Sequence, residues 1–185
     1  MKQIIIVRKD LNMSKGKMAA QVAHASMAFL TNAIKHSVCG TMTDLYVSPI
    51  KYYKCSLYIP EDIYKEWICG SFTKVILEAK NKYQLEKVYK IANELGLKEG
   101  VDYFPIKDNC YTELEPEEVD ENGVGRTLTC VGFIPLNDEI ADKISKKYQL
   151  YHDNKNDIDP WDGEKPHAKN GFVEKYCLYK ETTNE

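Results

Sequence analysis

Apolar residues fall along this chain in short groups whose spacing separates strands from helices. "KQIIIVR" (2–8) is a continuous apolar run rich in Ile and Val, as in a strand covered on both faces. "TKVILEA" (73–79), "VDYFPI" (101–106) and "RTLTCVGFIP" (126–135) read as three more strands. "KYQLEKVYKIANELGL" (82–97) instead carries Leu85, Val88, Ile91, Ala92 and Leu95 at helical spacing, with Gly96 placed to end the helix. "NDEIADKISKKY" (137–148) predicts a last helix, capped by Asn137, with acids in its first turn and lysines in its last. Another helix starts after Ser14 and runs to about residue 35. The order βαβαββα predicts an α/β sandwich around a small, mainly parallel sheet.

Two stretches break this rhythm. Residues 37–72, punctuated by Gly40, Pro49 and Pro60 and rich in tyrosine, read as an insertion with a short helix around "PEDIYKEW". Residues 151–185 form a polar C-terminal extension whose Trp161, Phe172, Tyr176, Leu178 and Tyr179 are expected to dock on the body. The domain reading is therefore one unit over 1–150, with an insertion at about 37–72, followed by the extension.

Composition narrows the class. With 185 residues, 43% hydrophobic and 29% charged, the chain suits one substantial core. No stretch has the apolar length of a membrane span, and "IIIV" is cut short by "RKD", so no signal peptide is expected. The six cysteines (39, 55, 69, 110, 130, 177) show neither a CxxC pair nor zinc-ligand spacing. Reduced thiols and a cytoplasmic location follow as expectations, with no membrane partner.

Charge is unevenly spread. The net value is −3, yet residues 1–17 hold Lys2, Arg8, Lys9, Lys15 and Lys17 against Asp10 alone, while "ELEPEEVDE" (113–121) has six acids and no base. In "MSKGKMAAQVAHAS" (13–26) lysines sit at a helix start, where exposed N–H groups already favour negative charge. Met18, Val22, Ala25 and Phe29 share one face of that helix, while Ala19, Ala23, Met27 and Leu30 fill most of the rest. It is expected to be a buried element with one polar strip of Lys17, Gln21 and His24. Taken alone, the stretch reads first as a solvated lysine pair with His24 hydrogen-bonded in the core. The second reading is an anion site at Lys15, Gly16 and Lys17. Beyond the third strand, "IKDNCYT" (106–112) sets Asp108 where open α/β sheets gather ligands, although an acid there also forms turns.

These motifs together resemble the type 2 peptidyl-tRNA hydrolases. The family's opening pattern matches "IIIVRKDLNMSKGKMAAQVAHA" nearly residue for residue; a strand ending in Asp with a threonine four positions on matches Asp108 and Thr112. A threonine opening an apolar strand that ends in Gly-x-x-Pro matches Thr129 in "TCVGFIP". The likeness covers residues 2–36 and 73–150. In "NCYT", Tyr111 stands where the family usually has an arginine, and the acidic loop is longer than the family's.

The resemblance implies a three-layer α/β/α sandwich with a four-stranded mixed sheet whose last strand is antiparallel. It also implies hydrolysis of the ester between a peptide and the 3′ ribose of tRNA. Peptidyl-tRNA is then the partner and a homodimer a further expectation, with no cofactor and no metal. Catalytic positions carry over onto Lys17, Asp108, Thr112 and Thr129, with Gln21 and His24 as supports; the local charge adds Arg8, Lys9, Lys15 and Arg126 as expected tRNA contacts. Acyl transfer needs a nucleophile, a proton carrier and an oxyanion donor. Asp108 is assigned to orient and partly deprotonate a water, and Lys17 to stabilise the oxyanion or protonate the leaving oxygen, roles that are interchangeable at this stage. Thr112 and Thr129 would hold the carbonyl, and His24 would make a positioning hydrogen bond or shuttle a proton. Two alternatives stand beside this reading: a non-catalytic interaction protein on the same fold, and a hydrolase of another acylated substrate.

Overall fold

The computed structural model describes residues 1–37, 39–43 and 51–152. In chain order its elements are β1 (Lys2–Arg8), α1 (Lys15–His36), β2 (Cys39–Thr43), β3 (Lys51–Cys55), a π-helical segment Ile63–Ser71, β4 (Lys74–Ala79), α2 (Lys82–Glu94), β5 (Tyr103–Asp108), β6 (Glu118–Val119), β7 (Gly125–Leu136), α3 (Asp138–Ser145) and β8 (Gln149–Leu150). The expected docking of the tail falls on 153–185, outside the described residues.

The main sheet runs β5-β7-β1-β4-β8, with β6 added beside β7. Only β1 and β4 pair in parallel; β7 runs against both its neighbours, β1 and β5. The sheet is therefore mixed rather than mainly parallel, because β7 inserts between two strands that share a direction. It also has six strands rather than four, through the two-residue strands β6 and β8. The long strands and both flanking helices, α2 and α3, lie close to the positions their patterns predict.

β1 shows why its sequence reads as unbroken apolar. Its alternate side chains enter two separate cores: Ile4 and Ile6 pack with Leu85, Val88 and Ile144, while Ile5 and Val7 pack with Ala25 and Cys130. Helices α2 and α3 thus cover one face and α1 the other. Gly96, at φ +79°, ends the α2 region as expected, and the Asn137 side chain caps α3 by accepting from the Ile140 N–H at 2.9 Å.

α1 departs from expectation. Only Gln21 and Ala25 are buried; Ala19, Ala20, Ala23 and Met27 face solvent, since the helix is an outer layer with one covered side. Alanine is favoured there as a helix former rather than as core. The contact with β7 is close. A Cβ on Gly132 would lie 2.5 Å from the Ala25 carbonyl oxygen, so no side chain fits between helix and sheet. Gly132→Ala is expected to destabilise the fold by about 1–3 kcal/mol, as overpacking does. Chemical denaturation checks it, and an unchanged midpoint would refute the close approach.

Within 37–72 lies more structure than the one predicted helix: β2 and β3 form a hairpin, and the π-helical segment follows. Its Trp67 is buried against Phe29 of α1 and donates from Nε1 to the Thr73 carbonyl at 2.9 Å. Ser71 Oγ donates to the Met1 carbonyl, so this segment sits at the starting end of β1. The carboxyl ends of β1, β4 and β5 lie at the opposite edge, where α1 begins.

Candidate active site

At that edge Lys17, in the first turn of α1, meets Asp108, the last residue of β5. Lys17 Nζ lies 2.7 Å from Asp108 Oδ2, with side-chain exposures of 15% and 11%. The pair is shielded enough to interact strongly yet open to a substrate. Ser14 orients the helix start by accepting the Lys17 N–H at its Oγ (3.2 Å), as the capping pattern predicts. Lys17 Nζ also donates to Thr112 Oγ at 3.1 Å, which leaves the threonine's own O–H available.

The carboxylate is held from three sides. Gln21 Nε2 donates to Oδ2 at 2.7 Å, and the Cys110 N–H donates to Oδ1 at 2.9 Å. That second bond requires a sharp return of the chain, with Cys110 at φ +56°, a left-handed conformation costing a non-glycine residue roughly 1–2 kcal/mol. Burial pushes the Asp108 carboxyl up, but Lys17, the Cys110 N–H and Gln21 outweigh it and hold the group below its ordinary value. Oδ1 has a single donor, so it retains acceptor capacity for a water.

Thr129 lies one step behind. It is fully buried, and its O–H donates to Gln21 Oε1 at 2.7 Å. With that oxygen occupied, the amide must turn its NH2 toward Asp108. The Ile106 carbonyl is also within reach of the Thr129 hydroxyl, at 3.1 Å, so its partners lie behind the cavity wall. Thr129→Val is expected to leave the buried Gln21 oxygen unpaired, costing about 1–3 kcal/mol of stability. Turnover should fall about tenfold with KM little changed, as measured by steady-state kinetics beside thermal unfolding; unaltered kcat would remove Gln21 from the assembly.

Lys17, Gln21, Asp108 and Thr112 line a cavity of about 610 Å³ that follows α1 along β5, past His24, Ala28 and Asn32 to Lys35. No described residue of 37–72 enters it. His24 is exposed on this wall and, among the described residues, has no hydrogen-bond partner; it makes no positioning bond.

The residues expected to contact tRNA are mostly engaged elsewhere. Arg8 is 3% exposed, and all five of its N–H donors are used: two on Asp10, two on Glu117 and one on the Leu128 carbonyl. None remains for a phosphate. Lys9 Nζ donates to Glu78 and the His152 carbonyl near β8, and Arg126 Nε binds Asp120 at 2.8 Å. Lys15 lies exposed in the first turn of α1. The partners of Arg8 and Arg126 explain the acidic loop. Glu117 pairs with Arg8 and Lys82, Glu118 with Lys107 and Asp120 with Arg126, so much of its charge is offset within the fold. Glu117 and the Cys110 N–H are the contributors that local sequence patterns miss, since one meets a partner 109 residues away and the other is backbone.

Cys69, Cys110 and Cys130 are free thiols. Burial pushes the Cys130 thiol up to about 12, so it is no nucleophile. The Cys110 thiol contacts the Asp108 carbonyl and Thr127 Oγ, neither of them an activating base. Among the described residues no helix is long and apolar enough to cross a membrane.

Comparison with known proteins gives the family. The family model described as Peptidyl-tRNA hydrolase PTH2 matches residues 1–151. A peptidyl-tRNA hydrolase of Thermoplasma acidophilum is 31% identical over 149 residues, covering 80% of this chain and 97% of that protein. Another, from Haloquadratum walsbyi, is 30% identical over 151 residues, 82% of this chain and 100% of its own. A third, from Sulfurisphaera tokodaii, is 32% identical over 149 residues, 80% and 97% of the two chains. With the family match spanning the strand, helix and turn that hold Lys17 beside Asp108, the chain belongs to the PTH2 family of peptidyl-tRNA hydrolases.

Proposed function

We propose that the Lys17–Asp108 pair carries out the family's reaction, hydrolysis of the ester joining peptide to tRNA, with water as the nucleophile. The observation behind it is the 2.7 Å approach of Lys17 Nζ to Asp108 Oδ2 in the cavity wall. Asp108 accepts a hydrogen bond from the attacking water at Oδ1 and takes its proton as the C–O bond forms. Lys17 and the Thr112 hydroxyl face the negative oxygen of the tetrahedral intermediate. The C–O bond to the ribose then breaks, and the proton passes to the 3′ oxygen as it leaves. The products are a free peptide carboxylate and deacylated tRNA.

The held-down basicity of the Asp108 carboxylate gives this division of labour its direction. A carboxylate below its ordinary value is a weak base in isolation, so its main contribution is to orient the water, while Lys17 supplies the positive field. The reaction returns stalled tRNA to translation, and the cytoplasm is the compartment this implies. A homodimer belongs to the proposal too. α1 turns Ala20, Ala23 and Met27 away from the sheet in a stripe that a second copy's helix would cover. Its check is a solution mass of twice the 21.3 kDa of one chain.

The test is incubation of the purified protein with N-acetylaminoacyl-tRNA, with and without EDTA. Release of acylated amino acid at equal rates in both supports the reading. Intact substrate in both, alongside a working control hydrolase, would contradict it.

A further inference from the structure

We propose that Tyr111 is the platform on which the terminal nucleobase of the tRNA 3′ end stacks, a specificity contact that rests on the hydrolase reading above. Tyr111 lines the active-site cavity and is 78% exposed. Among the described residues neither its ring nor its hydroxyl has a partner. A large aromatic group left in water at the lip of a polar cleft is unused contact surface.

Its placement is controlled from both sides. The preceding residue, Cys110, donates its N–H to Asp108, and the following residue, Thr112, accepts from Lys17. One residue further, Glu113 accepts the Ser14 N–H at 2.8 Å, which pins the turn to the start of α1. The ring is thus mounted on a turn fixed to both members of the catalytic pair.

The substrate has a matching geometry. The scissile ester sits on the ribose of the last nucleotide, and the same ribose carries the last base. A base held while the ester lies against Lys17 and Asp108 must therefore come to rest about one sugar away from them, at the rim where Tyr111 stands. RNA ends have unpaired bases free to stack on aromatic side chains, and such stacking depends little on sequence. Two cations at this edge, Arg8 and Arg126, are already paired with carboxylates, which raises the weight carried by stacking.

The experiment has a binding arm and a turnover arm. In the first, an RNA acceptor-stem hairpin with an ordinary single-stranded 3′ end, and one lacking the terminal base, are titrated against wild type, Tyr111→Ala and Tyr111→Phe. The expected result is about tenfold weaker binding of the ordinary hairpin by Tyr111→Ala, with Tyr111→Phe like wild type. Removing the terminal base should weaken wild type to the same extent and leave Tyr111→Ala unchanged. Equal binding by all three proteins, or penalties that multiply when variant and truncated RNA are combined, would overturn the proposal. In the turnover arm Tyr111→Ala raises KM on N-acetylaminoacyl-tRNA about tenfold and leaves kcat within about twofold. A fall confined to kcat would also overturn it. Failure of wild type to cleave any peptidyl-tRNA would instead strike the hydrolase reading, independently of the binding arm.

Discussion

Lys17→Ala is expected to lower kcat about 10²–10³-fold, the usual cost of removing one donor to a developing oxyanion. The fold should survive. Lys17 sits in the capped first turns of α1, and its N–H, not its side chain, holds the cap with Ser14. Asp108 keeps two other donors, Gln21 and the Cys110 N–H. Losing the ammonium removes one of the groups that hold the Asp108 carboxyl down, so its titration moves upward. Single-turnover kinetics with circular dichroism separates the effects. Slow hydrolysis by a folded variant is the expected result, and wild-type turnover would end the assignment of Lys17.

Asp108→Asn is expected to cost about 10²–10⁴-fold in kcat, the range for loss of a group that takes a proton in the transition state. Asparagine matches the shape and accepts one of the two sets of bonds, but it cannot hold the water's proton. The pH dependence has a definite sign. Because the folded state holds the Asp108 carboxyl below its ordinary 3.8, the charged pair is intact above that value and is lost only as pH falls through the lower, folded one. Wild-type kcat/KM should therefore show no acid limb between about pH 5 and pH 7. The stability that this carboxylate contributes is likewise present at neutral pH and fades in strong acid; Asp108→Asn lacks that component. A wild-type acid limb centred near neutrality would mean that another group, such as His24, governs the rate.

Much of this site could be read from residue order, for reasons that differ by element. β1 is legible because both its faces are buried, which forces an unbroken apolar run. Lys17 and Asp108 are legible through the resemblance, because the lysine motif of 13–26 and the Asp-x-x-x-Thr step of 108–112 match it; position alone leaves a solvated lysine and a turn-forming acid. The pairing of Arg8 is not legible, for the opposite reason. A positive charge in a sequence does not disclose its partner, and Arg8 meets Glu117 across 109 residues. The burial of Thr129 against Gln21 is not legible either, because burial of a hydroxyl depends on which helix covers the strand. The exposed face of α1 was misread because alanine serves helix formation and core packing alike. The hairpin of β2 and β3 carries no alternating pattern of its own that marks it out in a stretch broken by glycine and proline.

The proposed mechanism makes Lys17 and Asp108 one unit in the cavity wall. A double-mutant cycle on kcat for N-acetylaminoacyl-tRNA, using Lys17→Ala, Asp108→Asn and the double variant, tests this most directly. If the two groups act as one unit, the double variant is about as slow as the slower single one. Losses that multiply across the two positions would show two independent contributions and contradict it.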